Sequence, residues 1–304
     1  MFDRLKLHLL QRLDLPRIAA RADGAAEAVV HLERAADRSA EIETALARAD
    51  DDLRTRLDAL ERWARIERTT IWAAHAPLRH RPLINVVMPT RNRAASLQVA
   101  IDSVLAQTYD HWQLVVVDDG SDDGTAGALQ RIAELDPRVV VHRTTGIGAA
   151  AARNVGLGAA TGDWVAFLDD DNTMHPGWLR AVAEYSGREV DCRAMFGVQL
   201  RDDVLGGDVV PWVLFDEQMT LERLRLDNTI DLGALAVRAD HPELSFDSTL
   251  SLYIDWELVV RIAATSTIHP VSVLASLYSN GAPTRITDQH GEDTLEEMRR
   301  RLAP

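Results

Sequence analysis

The chain has 304 residues, 46% of them hydrophobic and 26% charged, as in a soluble globular protein of about two domains. A formal net charge of −14 makes a nucleic-acid backbone an unfavourable partner for the surface as a whole. Lys6 is the only lysine, so Schiff-base catalysis is closed to the rest of the chain, and the lone Cys192 lacks both an internal disulfide partner and the spaced companions of a zinc site. It reads as a buried small apolar residue. No run approaches the ~18 apolar residues of a membrane span, and MFDRLKLHLLQRLDLP has no secretory h-region. The expected location is the cytoplasm.

The opening segment, with Phe2, Leu5, Leu9, Leu10 and Leu13, reads as a short amphipathic helix. It could lie peripherally on a membrane, but its modest basic content favours packing on protein. From Ala25 to about Arg65 there is neither proline nor glycine. A heptad reading places Leu32, Ser39, Leu46, Leu53 and Leu60 at one seam position and Ala35, Ile42, Ala49, Arg56 and Trp63 at the other, with polar breaks at Ser39 and Arg56. A helix of about 40 residues is roughly 60 Å long and needs a partner. That partner is either the chain's own catalytic body or a second copy, and the heptads favour a homo-oligomer joined through this helix. Residues 1–80 are therefore an N-terminal helical, coiled-coil region.

Pro77 and the basic LRHRP (78–82) end it, and residues 81–304 form the second domain, with halves at 81–200 and 201–304. LINVVMP (83–89), QLVVVDD (113–119), RVVVHR (138–143) and DWVAFLDD (163–170) are short apolar runs bounded by turn signals. Helical patterns lie between them, over Ala94–Gln107, Thr125–Leu135 and Gly148–Ala160. This alternation predicts an α/β fold, an open, mostly parallel sheet flanked by helices, with ligands beyond the carboxyl ends of the strands. Polar residues stand at those ends: Pro89-Thr90-Arg91, Asp118-Asp119 and Asp169 to Asp171. In the second half, LERLRLDN, about Leu250 to Ala264, and EDTLEEMRRRLAP read as helices.

Three consecutive carboxylates at a strand end repel one another. Turn and cap chemistry accounts for one or two of them. A divalent cation, Mg²⁺ or Mn²⁺, accounts for all three, because it takes oxygen ligands and completes its shell with water and substrate phosphates. GIGAAA (146–151) satisfies a loose dinucleotide-binding pattern, but it follows the third strand rather than the first and gives no reason for the acidic set. Its helix start could still help hold a phosphate by free amides. In VVVDDGSDDGT, Asp122, Asp123 and Gly124 shape a turn, whereas Asp118 or Asp119 at the sheet edge could accept a base N–H or a ribose hydroxyl.

VVMPTRNRAASLQVAIDSVLAQTYDHWQLVVVDDGSDDGT followed by GIGAAAARNVGLGAATGDWVAFLDDDN resembles the nucleotide-binding half of a family 2 glycosyltransferase of the GT-A type. The likeness is strong over Leu83–Trp178 and continues weakly to about Arg285, leaving the first eighty residues outside. It implies that Pro89, Thr90 and Arg91 line the nucleotide pocket and that Asp118 or Asp119 reads uracil (or thymine) and ribose. Asp169 and Asp171 would be the ends of the DxD motif around Asp170, Asp171 the main metal ligand, and Asp169 a holder of sugar or ribose. Arg153 would sit near the pyrophosphate or brace the acidic loop. Asp255, in LYIDWELVV, matches the general base, although Ile254 stands where the family often has a first acidic residue.

The expected function is thus inverting, metal-dependent transfer of a sugar from a nucleoside diphosphate sugar, probable donor UDP-sugar, to an acceptor hydroxyl. The acceptor could be a saccharide, a lipid-linked glycan, a peptide or a small metabolite. Two rivals stay open. A nucleotidyltransferase acting on a sugar phosphate should show a basic, glycine-rich triphosphate loop, which PTRNRAAS matches only in part. A non-catalytic coiled-coil scaffold would not need the acidic set.

Overall fold

A computed structural model describes residues 15–188, 191–205, 208–279 and 292–303. The amphipathic segment expected at Phe2–Leu13 lies outside the described residues. Tertiary contacts divide the chain into two units at Trp63–Ala64.

Helix α1, Leu15–His75, contributes to both. In the first unit it exposes Ile42, Leu46, Leu53, Leu57, Leu60 and Trp63. Asp50–Arg54 and Asp52–Arg56 form i,i+4 ion pairs along it, so Arg56, the polar break in the seam, is held by its own helix. In the second unit the last turns of α1 join the core, with Ile66 and Ala73 buried. Thr70 Oγ1 accepts the Leu274 amide at 3.1 Å, and Arg180 donates to the carbonyls of Ala73 and Ala76 at 3.1 and 2.6 Å. Those carbonyls at a helix end have no partner within the helix, and an arginine is a natural cap for them. The boundary therefore falls before residue 80, because the end of α1 is packed as part of the globular unit.

Within that unit β1 (Ile84–Thr90), β2 (Trp112–Asp118), β3 (Val139–Arg143) and β4 (Trp164–Phe167) are parallel, in the order β3-β2-β1-β4. Along β1, Ile84, Val86 and Met88 enter one apolar cluster and Val87 enters a second. Both faces are covered, as the continuous apolar runs require. Helices α2 (Leu97–Leu105), α3 (Thr125–Leu135) and α4 (Ala149–Ala159) are the expected crossovers, and α5 (Trp178–Ser186) follows the two-residue strand β5 (Thr173–Met174).

The second half extends the same sheet with β6 (Ala194–Leu205), β7 (Asp208–Leu214), β8 (Leu235–Arg238) and β9 (Ile268–Ser279). Here β8 runs antiparallel to β4 and β6, β7 antiparallel to β6, β5 antiparallel to β9, and β9 parallel to β6. Parallel pairing is thus confined to the first four strands and the β6–β9 pair. The half also holds α6 (Leu221–Leu226), a 3-10 turn at Leu232–Ala234, α7 (Ile254–Thr265) and α8 (Glu292–Leu302). No helix among the described residues is long and apolar enough to cross a membrane.

Candidate active site

Register brings Thr90, Asp118 and Arg143 side by side at the carboxyl ends of β1, β2 and β3. Pro89 is half-buried, paired in register with Val117. Thr90 is buried and its hydroxyl donates to Asp170 Oδ2 at 2.6 Å. Beyond it the chain turns through Asn92, whose φ of 54° is left-handed. Asparagine tolerates that conformation. The turn is clamped to the loop after β2, since the Asn92 amide donates to Ser121 Oγ and the Asp122 amide to Asn92 Oδ1, both at 2.9 Å.

Asp118 and Asp119 have different roles. Asp119 is buried and accepts four hydrogen bonds: from Thr144 Oγ1 at 2.5 Å and from the amides of Gly146, Ile147 and Gly148 at 3.1, 2.7 and 2.8 Å. Burial opposes its ionisation, but these donors together hold its carboxyl below the usual range. The amides so occupied belong to the loop that leads into α4. Arg91 is exposed and lies over Gly146, whose Cα hydrogen leaves 3.3 Å between a would-be Cβ and the Arg91 guanidinium. The Asp118 carboxylate accepts the Ser121 amide, on Oδ1 at 2.9 Å. Its other oxygen is buried without a hydrogen bond among the described residues, 3.5 Å from Arg143 Nη1. Both residues line a cavity of about 430 Å³ between β2, β3 and α3.

The acidic triplet follows β4. Arg153, buried on α4, donates to Asp169 Oδ1 at 2.5 Å and stacks 5.6 Å from the Phe246 ring. Asp170 is buried beneath Thr90. Burial first, then its two acidic neighbours, push its carboxyl up to about 6 against the pull of the Thr90 bond and Arg93. Asp171 stays partly exposed, 3.8 Å from Arg93 Nη2. Among the described residues no three His, Cys, Asp or Glu side chains form a ready-made metal cage. The positive charge beside the triplet therefore comes from arginines of the same chain, a source that the acidic composition hides.

Asp255 lies in the first turn of α7, next to Tyr253, which adopts a left-handed φ of 53°. Asp255 Oδ2 accepts from Asn228 Nδ2 at 2.9 Å, not from a free amide of its helix. Glu257, one turn position further, is tied to Arg261 at 2.9 and 3.0 Å. A buried carboxylate that sequence reasoning missed completes the set. Asp231 accepts from Gly233 N at 2.8 Å and from Arg201 Nη2 at 3.0 Å. Its carboxyl is pushed up to about 6, chiefly by burial, which Arg201 opposes, and then by the charges of Asp169 and Asp255. The loop after β4, the turn before β8 and the start of α7 thus face one another. Nothing in the sequence around TIDLG marks Asp231, because its neighbours are distant in the chain.

Residues 85–211 match the family model for glycosyl transferase family 2. Over these residues, fewer than half of its length, the chain is similar to family 2 glycosyltransferases. Among similar proteins, the putative teichuronic acid biosynthesis glycosyltransferase TuaG of Bacillus subtilis (strain 168) is 34% identical over 165 residues, 54% of this chain and 64% of that protein. A PGL/p-HBAD biosynthesis glycosyltransferase of Mycobacterium tuberculosis (strain ATCC 25618 / H37Rv) is 35% identical over 38% of this chain and 46% of its own. The chain thus spans less than two thirds of the length of these relatives. Staphylococcus aureus TarS 1–349 in complex with UDP-GlcNAc superposes with a TM-score of 0.59 at 19% identity, over 72% of this chain and 65% of that one. The mannosyltransferase PcManGT from Pyrobaculum calidifontis, with GDP-Man and Mn²⁺, gives 0.51 at 22% identity, over 75% and 65%. At such identities the likeness is one of fold, and the second unit has the GT-A-like fold of these structures.

Proposed function

We propose that the chain is an inverting family 2 glycosyltransferase that moves a sugar from a nucleoside diphosphate sugar, a UDP-sugar, to an acceptor hydroxyl. The observation that carries the reading is the acidic triplet after β4, held by Thr90, Arg93 and Arg153 beside the carboxyl end of β1. The similar folds in complex with UDP-GlcNAc and with GDP-Man and Mn²⁺ support it.

Asp118, whose second oxygen is buried beside Arg143, would with that arginine read the base at their cavity once the pair opens, and Asp119 anchors the loop that leads into α4. The residues fit a hard divalent cation. Asp171 and Asp169 would hold Mg²⁺ or Mn²⁺, which is commonly bound by one or two carboxylates, with water and donor phosphates completing the shell. Bound there, the ion offsets charge developing on the leaving diphosphate. Thr90 and Arg153 keep the triplet in place. Asn228 holds one oxygen of Asp255, so the other is directed to the acceptor hydroxyl, whose proton it removes as the oxygen attacks the far face of the sugar. One displacement inverts the anomeric carbon. We propose further that the helix up to Trp63 pairs with a second copy through its heptad seam.

Nucleotide release measured across a panel of sugar nucleotides, with and without Mn²⁺ or Mg²⁺, tests the reading. The expected result is cation-dependent UDP release from one donor. Pyrophosphate release from a nucleoside triphosphate and a sugar phosphate would overturn it in favour of nucleotidyl transfer.

A further inference from the structure

Arg93 stands where the proposed cation would act. Its Nε is 3.4 Å from Asp170 Oδ1 and its Nη2 is 3.8 Å from Asp171 Oδ2. Its backbone is fixed: the amide donates to Thr125 Oγ1 at 3.0 Å, and the carbonyl accepts the Ser96 and Leu97 amides at 3.0 and 2.9 Å. Its side chain is only partly buried, so the guanidinium can swing while the turn stays in place. Asp169 has its own arginine in Arg153, buried and held under Phe246. Among the described residues, Arg93 is the more exposed of the two arginines paired with the triplet, at 27% against 9% for Arg153.

We propose that Arg93 couples cation binding to nucleotide binding. The proposal rests on the reading of Asp171 as a metal ligand. A divalent cation within about 2.1 Å of that carboxylate and a guanidinium beside the same group repel each other strongly. Cation binding by itself must therefore weaken the pairing of Arg93 with Asp170 and Asp171. A donor diphosphate supplies another partner, because guanidinium matches phosphate oxygens in a bidentate fork. Arg93 thus neutralises the acidic edge in the free protein and transfers to the diphosphate when cation and nucleotide arrive together. Coupling of this kind is reciprocal: nucleotide tightens the cation by the factor by which the cation tightens nucleotide.

Calorimetry with Mn²⁺ alone, UDP alone and the two together, on the full chain and on Arg93→Gln and Arg93→Lys, tests it. In Arg93→Gln, Mn²⁺ alone should bind at least about tenfold tighter than in the unaltered protein, and the coupling factor should fall by at least about tenfold. Arg93→Lys, which keeps the charge, should keep Mn²⁺ alone weak, and an unchanged melting temperature establishes that each variant is folded. Equal Mn²⁺ affinity in Arg93→Gln and the unaltered protein, with Mn²⁺–UDP still bound by both, would overturn the role of Arg93 and leave the glycosyltransferase reading standing. Failure of the unaltered protein to bind UDP with Mn²⁺ would overturn both.

Discussion

Asp255 is partly buried and Asp231 buried, and each makes a separate prediction. Asp255→Asn keeps the shape and much of the hydrogen bonding of the side chain but cannot accept a proton. Loss of a general base costs about 10²–10⁴ in rate, whereas a change confined to a helix first turn costs about 1 kcal/mol of stability. The variant should fold, bind UDP-sugar normally and turn over at least about a hundredfold more slowly; full turnover would move the base elsewhere. Glu257 is then a poor substitute, because Arg261 already holds it at both oxygens. Asp231 has a folded-state pKa raised from 3.8 to about 6, mainly by burial. A raised carboxyl favours the folded state fully below its unfolded pKa, and that contribution is lost as pH rises through the folded value. Between about pH 4 and 7 the unaltered protein should lose on the order of 3 kcal/mol through this group. Asp231→Asn lacks that loss, so its stability relative to the unaltered protein should improve as pH rises across this window. Denaturant melts at pH 4.5 and 7.5 measure the difference, and a difference independent of pH would show that Asp231 does not titrate there.

At the scale of elements, the packing of α4 against β1 and β2 leaves no room for a side chain at Gly156. A Cβ there would come within 2.6 Å of Val87 Cγ1 and 3.4 Å of Val117 Cγ2, both in buried, branched residues. On helix propensity alone, Gly→Ala gains about 1 kcal/mol. Here overpacking should outweigh that, and Gly156→Ala should lower stability by about 1–3 kcal/mol in denaturant melts. The first four strands and their crossovers were legible because strands buried on both faces are written as continuous apolar runs. Thr125–Leu135 has the predicted bounds, and Gly148–Ala160 is shorter by one residue at each end. The second half was harder to read. β6 carries Arg201, Asp202 and Asp203 within its span, and β9 opens with His269 and Pro270, so neither shows an uninterrupted apolar run. Arg201 pairs with Asp231, thirty residues away, and Arg93 with Asp170, more than seventy away. Contacts over such separations leave no local periodicity, so sequence singled out Asp118, Asp169 to Asp171, Asp255 and Arg153 but not Asp231, Arg93 or Arg201.

At the scale of the whole molecule, the unanswered surface is the helix of the first unit. Leu46, Leu53 and Leu60, seam residues at seven-residue spacing, are 64%, 64% and 66% exposed, and Ile42 of the alternate seam position is 60% exposed. Burying a leucine contributes about 1.5–3 kcal/mol, and knobs-into-holes packing between two such helices would bury all of them. A second copy is the occupant that the flanking charges fit. In a parallel pair Arg38 of one helix falls opposite Glu43 of the other, and symmetry repeats the contact. Asp50 and Asp52 flank the seam without a cross-helix partner, so on a chain of net charge −14 the association should strengthen as salt screens their repulsion. Removing residues up to 76 would be a poor test, because it would also take buried Ile66 and Ala73 out of the second unit. The double substitution Leu46→Asp and Leu53→Asp leaves that core intact. Light scattering should show a multiple of the 33.7 kDa chain mass for the unaltered protein and the chain mass itself for the variant, with UDP binding equal in both. An unaltered protein that scatters as a single chain at concentrations above about 10 µM, where two helices of this length should already be paired, would assign the seam to another partner.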